Sequence, residues 1–262
     1  MDLQGKNCIV TGGASGIGAA CSRAFAALDA NVVIADVNDE GAQSVAGEFN
    51  GRAVHCDVGD EKDIYAAVAA AEEAFGPVDL FFSNAGVATG GDPLETDIQD
   101  WHDQWDTNVM AHVYAIRAVL PQMLDRGSGY FVHTASMAGI LTTHGNVLYA
   151  ATKHAVVAIA EWMSITYHDQ GIHTSLLAPL GVNTPMLGNS GTPFARTAAG
   201  PIKEPEEVAE MVTDAIQNER FLILTDEIAQ TWMDRKNSDL ERWLNGMRRL
   251  QRKIDDAKQK GV

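Results

Sequence analysis

The chain has 262 residues, 46 % of them apolar and 21 % charged, proportions that exclude a disordered, fibrous or disulfide-stapled protein. Its 19 basic against 35 acidic side chains leave a formal charge of −16, which repels phosphate backbones and anionic lipid and speaks against nucleic acid as a partner. Three cysteines without CxxC spacing or a paired histidine offer no metal site. No apolar run approaches the ~20 residues of a spanning helix, so the expectation is a soluble, cytoplasmic protein away from the membrane.

In chain order, short β-branched runs alternate with longer segments whose apolar positions recur every three or four residues. Strands are predicted at 7–11, 31–36, 52–56, 80–83, 130–134, 173–177 and 221–224, and helices over 16–28, 61–75, 105–124 and 148–169. This alternation is the signature of βαβ units. It predicts an α/β fold: a Rossmann-like, doubly wound, seven-stranded parallel sheet with helices on both faces, in one domain spanning 1–262. Residues 185–205 are rich in glycine and proline and read as a lid. Ser238 and Glu241 make a capping box, and Leu240, Trp243, Leu244, Met247, Leu250 and Ile254 then form an apolar stripe within an extension over 226–262. Residues 235–262 carry nine basic and four acidic side chains. That excess fits either a solvated helix surface or a tail docked on an acidic face, its own or a neighbour's.

Directly after the first strand comes Thr11-Gly12-Gly13-Ala14-Ser15-Gly16-Ile17-Gly18, leading into a helical pattern. Glycines there let backbone N–H groups approach a pyrophosphate at the positive end of a helix. The strand-loop-helix context points to a dinucleotide more than to an ordinary turn. Asp36 ends the second strand eighteen residues beyond Gly18, where an acid accepts from the adenosine ribose hydroxyls and repels a 2′-phosphate. Neither Ser15 nor Val37 supplies a cation that would offset the repulsion, so NAD is favoured over NADP. The competing reading is an acid that merely starts the Asp36-Val37-Asn38-Asp39 turn.

Tyr149 and Lys153 lie four apart, on one face of a predicted helix. An ammonium beside the phenol is expected to lower its pKa and make it a proton donor or acceptor near neutral pH. Ser136 follows the fifth strand at the carboxyl edge, where ligands bind in open α/β sheets. Asn84-Ala85-Gly86 ends the fourth strand on the same edge, small enough for close approach of a cofactor, and Asn108 lies in the helix beyond.

With these motifs together the chain resembles the short-chain dehydrogenase/reductase family, in the branch with subunits of about this length. The resemblance spans residues 5 to about 225 and rests on TGGASGIG at 11–18, NAG at 84–86, Asn108, Ser136 and YAATK at 149–153, with Ser136 thirteen residues before Tyr149. It implies Tyr149 as general acid/base, with Lys153 holding the nicotinamide ribose and acidifying the tyrosine. Ser136 would orient the carbonyl, and Asn108 would hold a water that relays protons. By the same resemblance Asp57 and Val58 flank the adenine, and Val182 and Thr184 approach the carboxamide. Two positions depart from the family pattern: Pro179-Leu180-Gly181 replaces Pro-Gly, and His144 stands where relatives often have proline.

The function expected is NAD-dependent interconversion of a secondary alcohol and its ketone. Ile140, His144, Met186, Leu187 and Phe194 would shape the substrate end, and their mainly apolar character favours a hydrophobic or aromatic alcohol. His144 is read either as a loop residue shaping the substrate or as a second acid. A reductase working mainly on ketones, and a dinucleotide sensor without catalysis, are the alternatives. The resemblance implies a homodimer or homotetramer. Trp232 and Trp243 are costly to leave in water, and the tail helix is expected to pack against a partner subunit, roofing that subunit's cleft.

Overall fold

The computed structural model describes residues 1–188 and 200–260. Seven strands form one sheet: β1 (Asn7–Thr11), β2 (Asn31–Asp36), β3 (Arg52–His55), β4 (Leu80–Ser83), β5 (Gly129–Thr134), β6 (Ile172–Ala178) and β7 (Leu222–Leu224). All neighbours are parallel, in the order β3-β2-β1-β4-β5-β6-β7. Every residue of β1, β4 and β5 is buried. Helices cover both faces of the central strands, which is why their sequences read as unbroken apolar runs.

The two-residue period of the strands divides the core between the faces. Val10, Ile34 and Phe82 point to one side, where α1 (Gly16–Ala26), α2 (Asp39–Gly47) and α9 (Pro205–Gln217) pack. Ile9, Val33, Phe81 and Phe131 point to the other, against α3 (Glu61–Phe75), α5 (Ala111–Arg126) and α7 (Val147–Tyr167). Strand order reverses between β1 and β4, and the crevice at their carboxyl ends is where such a sheet binds ligands. That crevice is pinned across the switch point. Asn84 N and Ala85 N both donate to Thr11 Oγ1, at 3.0 and 3.2 Å.

The predicted helix 105–124 covers only the later part of a three-piece helical segment, made of α4 (Ile98–Trp105), a π-helical turn Asp106–Met110, and α5. The first piece is mostly polar and solvent-facing, so its period is masked, and the π turn interrupts the 3.6-residue repeat. Strand ends differ from expectation by a residue or so. At the tail, α10 (Glu227–Ser238) runs to the predicted cap residue, and α11 (Leu240–Lys260) follows. The capping acceptor is Asp239, whose Oδ1 takes the Arg242 N–H at 2.9 Å. Ser238 Oγ instead donates to the Arg235 carbonyl. The box is thus displaced by one position, and Leu240 falls outside the apolar stripe at 53 % exposure.

The tail packs against its own chain. Trp232, Met233 and Trp243 pack with Met137, Ile140 and Leu141, at and around α6 (Ala138–Leu141). Lys236 Nζ donates to the Ile140 carbonyl, and His144 Nδ1 lies 2.7 Å from Gln251 Oε1. Arg235, Arg242, Arg248, Arg249, Arg252 and Lys253 are exposed on this chain. Among the described residues no helix is long and apolar enough to cross a membrane.

Candidate active site

The glycine loop connects β1 to α1 along a path that side chains would block. A Cβ on Gly18 would lie 2.2 Å from the Gly12 carbonyl oxygen, and one on Gly12 would lie 2.8 Å from Ala85 Cα. Gly12 and Gly16 also adopt positive φ, +64° and +52°, where L side chains are strained. Ser15 is the N-cap residue of α1, yet its side chain makes no capping bond. It leaves the N–H groups of the first turn, in Gly16, Ile17 and Gly18, to meet an anion.

Asp36 makes the turn that the competing reading gave it and also anchors the glycine loop. Its Oδ1 accepts from Asn38 N at 2.9 Å and closes the turn, and its Oδ2 accepts from Ala14 N at 2.9 Å and anchors the glycine loop. Each oxygen keeps a lone pair for a further donor. Val37 beside it is exposed, and Val58 is buried next to Asp57. Asp57 closes its own turn by accepting from Gly59 N. The residues present therefore fit a dinucleotide: a cradle with no room for side chains, a helix N-terminus that its own cap residue leaves uncapped and a carboxylate at the end of β2.

At the centre of the edge, Lys153 on α7 is 2 % exposed and donates from Nζ to the Thr134 carbonyl at 2.9 Å. Its ammonium lies 5.8 Å from the centre of the Tyr149 ring. Beneath it, Gly86 leaves room for both neighbours. A Cβ there would come within 3.1 Å of Asn108 Oδ1 and 3.3 Å of Lys153 Nζ. Asn84 spans the base of the site, donating to the Thr11 carbonyl and accepting from Thr134 Oγ1.

The titration behaviour departs from the spacing argument. Burial pushes Tyr149 above the ordinary phenol range, and the Ser136 hydroxyl partly opposes it. Burial pushes Lys153 down to about 8. Each charged form is disfavoured by the same dry surroundings, so desolvation outweighs the attraction that the spacing alone predicts. Ser136 sits where β5 leads to α6, its Oγ accepting from Ala138 N at 3.1 Å and lying 3.4 Å from the Pro179 carbonyl.

Asn108 lies in the π turn, fully buried. Its Oδ1 accepts from Val87 N, and its Nδ2 donates to the Val87 carbonyl and to Thr152 Oγ1. The side chain thus locks the loop after β4 to α7. On the far side, Val182 is buried and bridges in parallel to Lys203. The Thr184 methyl lies 3.0 Å from where a Gly16 Cβ would be. The Pro179-Leu180-Gly181 departure therefore still brings Thr184 beside the glycine loop. Ile140 and His144 line the wall covered by α11, and Met186 and Leu187 belong to α8 (Pro185–Gly188). Phe194 and most of the predicted lid lie outside the described residues.

Sequence reasoning missed several supporting residues. Gln104, four positions before Asn108, is buried and accepts from Thr89 N and Thr89 Oγ1. His112 and His133 meet Nδ1 to Nδ1 at 2.8 Å in the interior. Burial holds His133 down to about 4 and His112 also well below its usual range, so both rings are neutral at pH 7. An i to i+4 relation to Asn108 could have flagged Gln104 and His112. No sequence signal pairs His112 with His133, which come together only through sheet packing.

The short chain dehydrogenase family profile matches residues 6–193, a span that holds the glycine loop, Asn108, Ser136, Tyr149 and Lys153. The chain belongs to the short-chain dehydrogenase family. Among relatives of this short-chain dehydrogenase is a 2,5-dichloro-2,5-cyclohexadiene-1,4-diol dehydrogenase of Sphingobium indicum, 38 % identical over 71 % of the chain and 76 % of the relative. Another is a 1-deoxy-11-beta-hydroxypentalenate dehydrogenase of Streptomyces avermitilis, 35 % identical over 93 % of each chain. A crystal structure of a short chain dehydrogenase/reductase from Burkholderia phymatum, in complex with NAD, superposes with a TM-score of 0.83. It is 30 % identical and covers 92 % of this chain and 96 % of its own.

Proposed function

We propose that this short-chain dehydrogenase interconverts a secondary alcohol and its ketone with NAD, in a cytoplasmic homodimer or homotetramer. One observation carries the reading: Tyr149, Lys153 and Ser136 stand together at the carboxyl edge of the sheet, beside a glycine cradle and an acid that suits an adenosine ribose. NAD, when bound, supplies the nicotinamide carbon that accepts or returns hydride. Gly12 to Gly18 and the α1 N-terminus would hold its pyrophosphate, Asp36 its adenosine ribose, and Asp57 and Val58 its adenine. Asn84, Ala85, Gly86, Pro179, Val182 and Thr184 would flank the nicotinamide half.

The chain's own groups then manage the proton. Tyr149 takes the hydroxyl proton during oxidation and returns it during reduction. Ser136 donates to the substrate oxygen and fixes its angle to the phenol. Lys153 positions the nicotinamide ribose and places positive charge beside the phenolate. The Asn108 side chain is committed to Val87 and Thr152, so its main-chain carbonyl is the group left to hold a relay water. Ile140, Leu187 and Met186 favour a hydrophobic or cyclic alcohol. Exposed Trp162 and Ile165 on α7 support self-association through that helix.

Two experiments test this reading. NADH fluorescence over a panel of secondary alcohols should reveal turnover, and a panel without any NADH formation contradicts the assignment. Asp36→Asn keeps an acceptor for the glycine loop while removing the charge. It should reduce the preference for NAD over NADP, measured as a ratio of kcat/KM, by about 10- to 100-fold. An unchanged ratio removes Asp36 from cofactor choice.

A further inference from the structure

The helix α6 is a single turn that touches two members of the candidate site. Its Ala138 N–H donates to Ser136 Oγ at 3.1 Å, and Met137 N just before it donates to the Pro179 carbonyl at 3.0 Å. On the α7 side it lies directly against Lys153, for a Cβ on Gly139 would come within 2.5 Å of the Lys153 carbonyl oxygen. A shift of α6 therefore carries the Ser136 hydroxyl with it, relative to Tyr149 and Lys153.

One isolated turn does not hold itself in place. Nucleating a helix costs more than its first hydrogen bond returns, and the last carbonyls have no partner inside the helix. The chain also leaves the turn at once, at Thr142 with φ +71°. The tail supplies the missing support. Lys236 of α10 donates from Nζ to the Ile140 carbonyl, and Trp232, Met233 and Trp243 pack with Met137, Ile140 and Leu141. Arg235 beside it is exposed, whereas Lys236 is half-buried. This lysine is turned inward to cap a helix end that belongs to another part of the chain.

Building on the oxidoreductase reading above, we propose that Lys236 is a positioning residue for the reaction. By holding the Ile140 carbonyl it fixes α6 against α7 and sets the angle of the Ser136 hydroxyl to the substrate oxygen.

The test is a double-mutant cycle of Lys236→Met and Ser136→Ala, with Lys236→Arg alongside, read as kcat and KM for an alcohol that wild type oxidises and as NAD affinity. Lys236→Met should lower kcat by about 10-fold, short of the ~10²-fold that loss of the hydroxyl itself costs, and leave NAD affinity unchanged. In the Ser136→Ala background the same change should cost about 2-fold or less, since no hydroxyl is left to misplace. Lys236→Arg keeps a donor and should recover most of the loss. The limb of the oxidation pH profile should move upward in Lys236→Met as in Ser136→Ala, because the hydroxyl that lowers Tyr149 is drawn away from it. Should Lys236→Met fail to fold, Lys236→Gln, with its shorter reach, enters the same cycle. An equal loss in both backgrounds, or full activity in Lys236→Met, overturns the proposal and leaves the oxidoreductase reading standing. If wild type binds NAD yet oxidises no alcohol and reduces no ketone, the two fail together.

Discussion

Lys153→Met is expected to yield a protein that is more stable than wild type and nearly inactive. Burial lowers the Lys153 pKa from its ordinary value to about 8, so the fold disfavours the ammonium by roughly 3 kcal/mol, to order of magnitude. Methionine has a similar length and no charge to desolvate. Losing the bond to the Thr134 carbonyl returns about 1 kcal/mol, which leaves a net gain of about 1–2 kcal/mol and a Tm rise of a few degrees. The sign with pH follows from linkage. Below pH 8 both folded and unfolded chains hold the proton, and the fold carries the full cost. Between about 8 and the ordinary value of 10.5 the cost fades, so the gap between variant and wild type should narrow over that interval. Turnover should drop by about 10²–10⁴-fold. Calorimetry across pH, together with an alcohol oxidation assay, checks both halves. A variant less stable than wild type at pH 7 contradicts the account of a desolvated cation kept for function.

Ser136→Ala should slow the reaction by about 10²-fold and displace its pH profile. Oxidation needs Tyr149 as a base, so its rate climbs as pH rises through the value of the Tyr149–Lys153 pair, and reduction, which needs the acid, falls over the same range. Burial raises the tyrosine and the Ser136 hydroxyl lowers it. Removing that hydroxyl leaves burial unopposed and moves the limb to higher pH. Because the two groups interact, the limb reports the pair and not the phenol alone. Profiles of kcat/KM in both directions would show the displacement. A slower enzyme with an unmoved limb confines Ser136 to orienting the substrate.

Much of the fold was legible because the inner strands are buried on both faces and the long helices have one apolar side. Runs such as Cys8-Ile9-Val10 and Leu80-Phe81-Phe82 announce themselves, and 61–75 carries a clean helical period with Asp60 as its cap. The π turn at Asn108 was hidden because its residues break the regular period, and α4 before it is too polar to show one. The convergence of Tyr149, Lys153, Ser136 and Asn108 followed from strand-edge placement. Their proton affinities did not, since desolvation depends on what packs around a group and not on sequence spacing. The same limit explains the tail. The apolar residues of α11 are visible as a stripe, but that they seat on the chain's own α6, with Gln251 against His144, is a property of the folded surface.

The central claim is that the Tyr149 hydroxyl carries the proton while NAD exchanges hydride with the substrate carbon. The most direct measurement is NADH formation from a responsive alcohol by wild type and by Tyr149→Phe, with NAD affinity determined for both. The account predicts unchanged NAD affinity and a rate lower by about 10²–10⁴-fold in the phenylalanine variant. Equal rates in the two proteins would contradict it.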